Sequence, residues 1–299
     1  MERIGYVGLG SMGGALAARL QLSHPLVVYD RSSVALEKMA SKGARTASGF
    51  SQLAAQCNLI FLCLPTSEDV MDAIFGEGTL ASSMKPGTLI VDQTTGDPNV
   101  TRLMATRLAE RGFHLVDAPV SGGKMGAEAG TIAIMVGGDR RQYDRILPIL
   151  NAISPNVFYA GSIGNGHVIK LVNNLMSTVQ RLLSFEAITL AVKNGMDPAI
   201  ATDILLASGG RNAYLERMMK TRILKGNLDV GFTLNLAHKD VRLACKLGAD
   251  SEVPMLFGNM AREIYQTCMN EMGRDSQVDT VGLMYDRFAS TAVIPLAHS

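Results

Sequence analysis

Lys170 and Asn174 lie four residues apart in Gly164-Asn165-Gly166-His167-Val168-Ile169-Lys170-Leu171-Val172-Asn173-Asn174, which places them on one face of a helix. Asn173, three residues on, is a second candidate neighbour. An amine and a carboxamide so placed can manage a proton. The lysine takes it from a hydroxyl or returns it to a carbonyl, and the amide holds either the amine or the reacting oxygen. The positive end of the helix macrodipole disfavours a cation in the first turns. Partial burial and a nearby cationic ring act in the same sense, lowering such a lysine from about 10.4 toward working pH. The same residues also fit a lysine whose stem lies on an apolar helix with its ammonium in water.

Two glycine-bearing segments have chemistry of their own. In Asp117-Ala118-Pro119-Val120-Ser121-Gly122-Gly123, a serine hydroxyl precedes two backbone N–H groups that no side chain obstructs. That is a cradle for an anion, with a plain turn as the alternative. Near the start, Arg3-Ile4-Gly5-Tyr6-Val7 reads as an apolar strand that runs into Gly8-Leu9-Gly10-Ser11-Met12-Gly13 and an apolar-periodic helix through Leu16 and Leu20. Gly8 permits a tight turn, Gly10 lets backbone approach a pyrophosphate, and Gly13 lets the helix pack closely on the sheet. The helix start, with Ser11 and Met12, offers unpaired N–H groups to phosphates. A second strand, Leu26 to Tyr29, ends on Asp30, 17 residues after Gly13, where a carboxylate can accept from adenosine ribose hydroxyls. Together these predict dinucleotide binding.

Such groups must be carried by a scaffold, and the pattern of apolar runs predicts one. Runs at 26–29, 58–64, 88–91, 113–116, 131–136 and 156–160 alternate with amphipathic segments such as 99–110 and 139–150. Continuous apolar strands separated by helices indicate a mostly parallel sheet covered on both faces. At Gly161-Ser162-Ile163-Gly164-Asn165-Gly166 the character changes, and everything beyond reads as helix. One long helix spans about 167 to Asn194, apolar on more than one face and therefore expected to be buried on more than one side. Asp197-Pro198 restarts a helix as cap and first position. Further helices fit 198–207, 213–224, 233–248, 254–272 and 277–289. The expected fold class is α/β: an N-terminal Rossmann-type dinucleotide-binding domain over 1–162, then an all-α domain over 163–299, joined by the long interdomain helix.

Composition narrows the partners. The 299 residues carry 28 basic and 27 acidic side chains without a basic run, which argues against nucleic acid or an anionic membrane. No stretch of 18 uninterrupted apolar residues suggests a span. The first strand starts by residue 3, leaving no length for a signal peptide. Cys57, Cys63, Cys245 and Cys268 are scattered without metal-ligand spacing and read as buried reduced thiols of a cytoplasmic protein. Apolar content of 47% beside 18% charged residues hints at surface buried between subunits. Neither a GxSxG nor an HExxH motif supports a hydrolase. His167 and His238 have no carboxylate or second histidine at triad or metal spacing and read as structural or peripheral.

Four motifs occur in one order: Gly8 to Gly13 with Asp30, Asp117 to Gly123, Gly164 to Asn174, and Phe232 through Leu236 followed by Lys239-Asp240. The set resembles the β-hydroxyacid dehydrogenase family, which includes 3-hydroxyisobutyrate and tartronate semialdehyde enzymes, and the resemblance covers essentially the whole chain. It implies an NAD(P)-dependent oxidoreductase that moves hydride between nicotinamide and a small β-hydroxy acid or its semialdehyde. Lys170 would be the general base or acid, Asn174 its partner, and Ser121, Gly122 and Gly123 the carboxylate cradle. The resemblance places Lys239 near cofactor and substrate in a closed interdomain cleft, with an ordinary surface ion pair to Asp240 as the alternative. It gives backbone at Leu64-Pro65 and the Thr95 hydroxyl to the ribose-nicotinamide half. Asp30 repels a 2′-phosphate and favours NAD, although Arg31 could accommodate NADP. Arg211 could pair with a second acidic group on the substrate, or be a solvated arginine. A homodimer or homotetramer is expected. The alternatives are an aldehyde reductase working in the reductive direction and a non-catalytic dinucleotide-binding protein on the same fold.

Overall fold

The computed structural model describes residues 2–295 and divides into two compact units, 1–170 and 171–299. In the first unit the chain alternates strand and helix. It begins β1 (Ile4–Val7), α1 (Ser11–Gln21), β2 (Leu26–Tyr29), α2 (Ser33–Ala40), β3 (Arg45–Thr46) and α3 (Phe50–Gln56). There follow β4 (Leu59–Leu62), α4 (Ser67–Phe75), α5 (Leu80–Ser83), β5 (Leu89–Asp92) and α6 (Pro98–Ala109). The unit continues with β6 (His114–Asp117), β7 (Val120–Ser121), α7 (Gly123–Ala129), β8 (Ala133–Gly137), α8 (Arg140–Ile153) and β9 (Val157–Gly161).

The strands form one sheet in the order β3-β2-β1-β4-β5-β6-β8-β7, with β9 beside β8. Pairing is parallel from β3 through β6, whereas β8 runs antiparallel to β6 and β7 and parallel to β9. β1, β4 and β5 are fully buried, so apart from Asp92 at the end of β5 they read as continuous apolar runs, as strands covered on both faces must. Two separate apolar clusters cover the faces. One gathers Tyr6, Leu16, Leu20, Val28, Phe61 and Ile146, and the other Val7, Leu53, Ile60, Leu62, Val70 and Met104. The strand order reverses between β1 and β4, which is where doubly wound sheets bind ligands at the carboxyl ends.

Helix α9 (Asn165–Lys193) begins in the first unit and continues into the second, a length of about 43 Å at 1.5 Å per residue. The second unit holds the rest of α9, then α10 (Pro198–Leu206), α11 (Leu234–Asp250), α12 (Leu256–Met272) and α13 (Val281–Ala289). Asp197 caps α10 by accepting from Ala199 and Ile200, as the Asp197-Pro198 pair predicted. The core gathers Phe185, Ile188, Leu215, Met219, Val241, Tyr265 and Val281. Through it runs a buried ion pair, Arg181 Nε donating to Asp279 Oδ1 at 2.7 Å, with the Tyr214 hydroxyl donating to the same oxygen at 2.9 Å. Burial opposes the Arg181 charge, but Tyr265 and Asp279 outweigh it and hold the guanidinium above its ordinary range. Among the described residues α9 alone is long and apolar enough to cross a membrane. Arg181 near its middle is buried and paired with Asp279 inside the second unit.

Parts of this reading need correction. The helix expected over 213–224 is broken into a π turn at Leu215–Met219 and a 3-10 turn at Ile223–Lys225. There the Thr221 hydroxyl donates to the Arg217 carbonyl, and Gly226 turns the chain in the left-handed region at φ +73°. Strands β3 and β7 went unread because two residues carry no periodicity. Cys63 is only half-buried, unlike the other three thiols; burial pushes Cys57 and Cys268 up to about 11.

Candidate functional site

The turn after β1 is built as the glycine spacing requires. Gly8 adopts φ +88°, and a Cβ there would fall 2.2 Å from the Cys63 carbonyl oxygen. A Cβ on Gly13 would fall 2.0 Å from the Gly8 oxygen, so helix and strand can approach only without one. Gly10 is different: it is exposed, and a Cβ there would enter open space. No side chain caps α1, and no acidic residue occupies its first turn. A helix start with no side-chain cap, an open approach at Gly10 and no acidic residue in its first turn fits a dinucleotide pyrophosphate.

Asp30 stands at the end of β2 with both oxygens already engaged. Oδ2 accepts from Leu9 N at 2.6 Å and Oδ1 from Ser32 N at 2.8 Å. Each oxygen keeps a further lone pair, so the carboxylate ties the glycine turn to β2 and can still receive a hydroxyl. Arg31 beside it is exposed. After β4, Leu64 is half-buried and Pro65 exposed, and Leu64 N donates to Thr94 Oγ1 at 3.1 Å. That bond joins the loops after β4 and β5 through the buried Thr94 hydroxyl, and the neighbouring Thr95 is half-buried.

The second and third motifs are joined by one carboxylate. Asp117, fully buried at the end of β6, accepts from Gly164 N through Oδ1 and from His167 N through Oδ2, each at 2.7 Å. It thereby satisfies two N–H groups at the entry to α9 and fixes that helix to the strand leading into Ser121. The approach tolerates no side chain on Gly166, whose Cβ would lie 2.4 Å from the Met135 carbonyl oxygen. Ser121 is half-buried, while Gly122 and Gly123 are exposed and adopt φ +142° and +69°. Lys170, one turn into α9, is 8% exposed. It is no surface lysine.

In the second unit, Asn174 Nδ2 donates to Asp240 Oδ2 at 2.6 Å, and Asn173 Nδ2 donates to Asn174 Oδ1 at 3.0 Å. Lys239 Nζ lies 3.2 Å from Asp240 Oδ1, with both side chains largely buried. Asp240 is therefore not the solvated partner of a surface pair; it orients the Asn174 carboxamide. Sequence reading missed this role, since a Lys-Asp dipeptide alone says nothing of what its carboxylate reaches. Arg211 is exposed and pairs with Glu216 at 2.9 Å, which matches the solvated reading. Burial, then Arg242, Arg262 and Arg274, hold His238 below the ordinary imidazole range. A cavity of about 380 Å³ beside α11 and α12 is lined by Arg242, Lys246, Asn259 and Arg262, and by none of the sequence-assigned site residues.

Comparison with known proteins finds relatives along most of the chain. Residues 3–161 match the NAD-binding domain of 6-phosphogluconate dehydrogenase, and residues 164–284 the NAD-binding region of NADP-dependent 3-hydroxyisobutyrate dehydrogenase. The chain is 36% identical over 266 residues to the 2-(hydroxymethyl)glutarate dehydrogenase of Eubacterium barkeri, covering 88% of each. It is 31% identical to the 3-sulfolactaldehyde reductase of Escherichia coli K12, covering 89% of each. The solved structure of Mycobacterium tuberculosis 3-hydroxyisobutyrate dehydrogenase with L-serine superposes with a TM-score of 0.86 at 27% identity, over 95% of this chain and 99% of that one.

Proposed function

This chain belongs to the β-hydroxyacid dehydrogenase family, and on that premise we propose that Lys170 carries the proton in its reaction while Ser121, Gly122 and Gly123 hold the substrate carboxylate. The chain is an NAD(P)-dependent oxidoreductase of small hydroxy acids or the matching semialdehydes. An NAD(P) cofactor held there would supply a nicotinamide able to take hydride from the carbinol carbon in oxidation or give it back in reduction. The neutral Lys170 amine takes the hydroxyl proton as the hydride departs, and in reduction the ammonium returns it to the carbonyl oxygen. Asn174, aimed by Asp240, orients the amine or the reacting oxygen, and Lys239 adds positive charge toward substrate and cofactor. Gly8, Gly10, Ser11, Met12 and Gly13 receive the pyrophosphate, Asp30 the adenosine ribose, and Leu64, Pro65 and Thr95 the nicotinamide half.

The observation that supports this most is the near-complete burial of Lys170 one turn before Asn174, on a helix start clamped by the carboxylate that ends β6. NAD is the preferred cofactor, since the Asp30 carboxylate would face a 2′-phosphate of like charge. We further assign cofactor binding to residues 1–162, substrate selection and self-association to 163–299, and the protein to the cytoplasm as a homodimer or homotetramer.

The test is absorbance at 340 nm with NAD and NADP against 3-hydroxyisobutyrate, D-glycerate, L-serine, L-threonate, 4-hydroxybutyrate and 2-(hydroxymethyl)glutarate. Semialdehydes with NADH or NADPH serve the reverse direction. Turnover of one acid with NAD is expected, and Lys170→Ala should lower kcat about 10²- to 10⁴-fold, the range of general base catalysis, while NADH still binds. Wild-type turnover in Lys170→Ala would remove the lysine from its role.

A further inference from the structure

His167 is fully buried three residues before Lys170, and its side chain does more than fill space. Its Nε2 lies 2.8 Å from the Thr94 carbonyl oxygen. A carbonyl only accepts, so Nε2 carries a proton and donates it. Nδ1 lies 2.9 Å from the Thr101 hydroxyl on α6. The backbone N–H of the same residue is held by Asp117 at 2.7 Å. One residue thus joins α9 to the end of β6, to α6 and to the loop after β5.

The fit around the ring has no slack. A Cβ on Gly96 would fall 3.2 Å from His167 Cε1 and 2.6 Å from Ser67 Oγ. Asp92 Oδ2, at the end of β5, lies 4.0 Å from Nε2 and is buried without a hydrogen-bond partner. Any rotation of the imidazole away from Thr94 must therefore be accommodated among Gly96, Ser67 and that carboxylate. Burial pushes the Asp92 carboxyl above its usual range, with His167 and then Thr94 pulling the other way.

We propose that His167 is a positioning residue for the reaction: through the Thr94 carbonyl it fixes the first turn of α9, and with it Lys170, relative to Thr95. This rests on the roles proposed above for Lys170 and Thr95. The path between those two residues is short and stiff, consisting of one peptide from Thr95 to Thr94, one hydrogen bond to the ring, and three residues of helix. Proton and hydride leave adjacent atoms of one substrate, so base and nicotinamide contacts must keep a fixed separation. A displacement of about 1 Å costs on the order of 10²-fold in rate. Substrate and cofactor affinity should change little, because the His167 side chain is engaged with Thr94 and Thr101 and is not among the groups assigned above to hold either ligand.

His167→Gln and His167→Asn separate this role from core filling, since both are polar and smaller than the imidazole. Gln can place an amide donor near the position of Nε2, whereas Asn reaches only that of Nδ1. With the best acid of the 340 nm screen, His167→Asn should lose about 30-fold or more in kcat, of the order expected for a misplaced base. Its KM and its NADH dissociation constant, read by nucleotide fluorescence, should stay within about threefold of wild type, and His167→Gln should recover most of kcat. Without cofactor, hydrogen exchange over residues 163–171 should quicken in Asn and not in Gln. Equal kcat in Asn and Gln, or a loss in Asn carried by KM, overturns the proposal. Lys170→Ala is measured alongside: if it remains active, the assignment of Lys170 falls. If it is dead while His167→Asn matches wild type, only the role of His167 falls.

Discussion

Asp30 serves the fold through its own side chain, beside the role proposed for it toward the cofactor. Its oxygens accept from Leu9 N and Ser32 N, so it fixes the glycine turn to the end of β2 before any ligand arrives. The acidic position was legible in the sequence from its distance to the glycines; the double backbone attachment was not, because it depends on how the turn folds back. Replacement therefore has two consequences. Asp30→Ser removes the charge that repels a 2′-phosphate, and it weakens the tie to Leu9. A charged hydrogen bond contributes about 1.5–3 kcal/mol, so kcat/KM with NAD should fall about 10- to 100-fold. With NADP it should change less, moving the NAD/NADP ratio toward NADP. Steady-state kinetics with both cofactors check this, and an unchanged ratio would show that Asp30 does not face the ribose.

At the scale of elements, the sequence was most readable where burial leaves a period and least where hydrogen bonds decide. The continuous runs of β1, β4 and β5 announced a covered parallel sheet, and Asp197-Pro198 announced the start of α10. By contrast, the clamp of α9 by Asp117 joins residues about fifty apart, and the Asn174–Asp240 bond joins residues 66 apart. No local pattern encodes such pairings. Another long-range clamp fixes the entry to the sheet: Arg145 on α8 meets Glu2 with Nε to Oε1 at 2.7 Å and Nη2 to Oε2 at 3.0 Å. Arg145 holds the Glu2 carboxyl below its usual 4.5, against the pull of burial. A depressed acid stabilises the fold above its unfolded value, and that contribution disappears as pH falls through the folded value. Glu2→Gln should thus be less stable than wild type by about 1 kcal/mol at pH 7, the upper range for a partly exposed pair. Urea melts of the two proteins should converge as pH drops below 4.5. A gap that persists into acid would assign the cost to packing rather than charge.

For the molecule as a whole, the long helix carries an argument that its composition only hinted at. Expected to be buried on several sides, α9 instead leaves Val172, Met176, Leu183 and Leu190 exposed, the last two at 58% and 66%. At about 100° per residue these four fall within about 40° of arc, roughly opposite Asn174. The helix thus turns its polar chemistry one way and an apolar stripe the other. Exposed apolar residues also recur on α10, at Ile200 and Ile204. Scattered single hydrophobes are ordinary on a surface, but a stripe sustained along about five turns is the pattern of a helix that meets another. The proposed self-association gives that stripe a second copy of the same chain to pack against, and a helix that pairs with its own copy presents the same residues from both sides. Leu183→Glu with Leu190→Glu puts charges where the isolated chain has only solvent, so the monomer should fold with unchanged circular dichroism. In light scattering coupled to gel filtration, the wild type should elute as a dimer or tetramer and the double variant as a monomer. An oligomer that survives both charges would move the interface to another face, and a monomeric wild type would leave the stripe without the partner assigned to it.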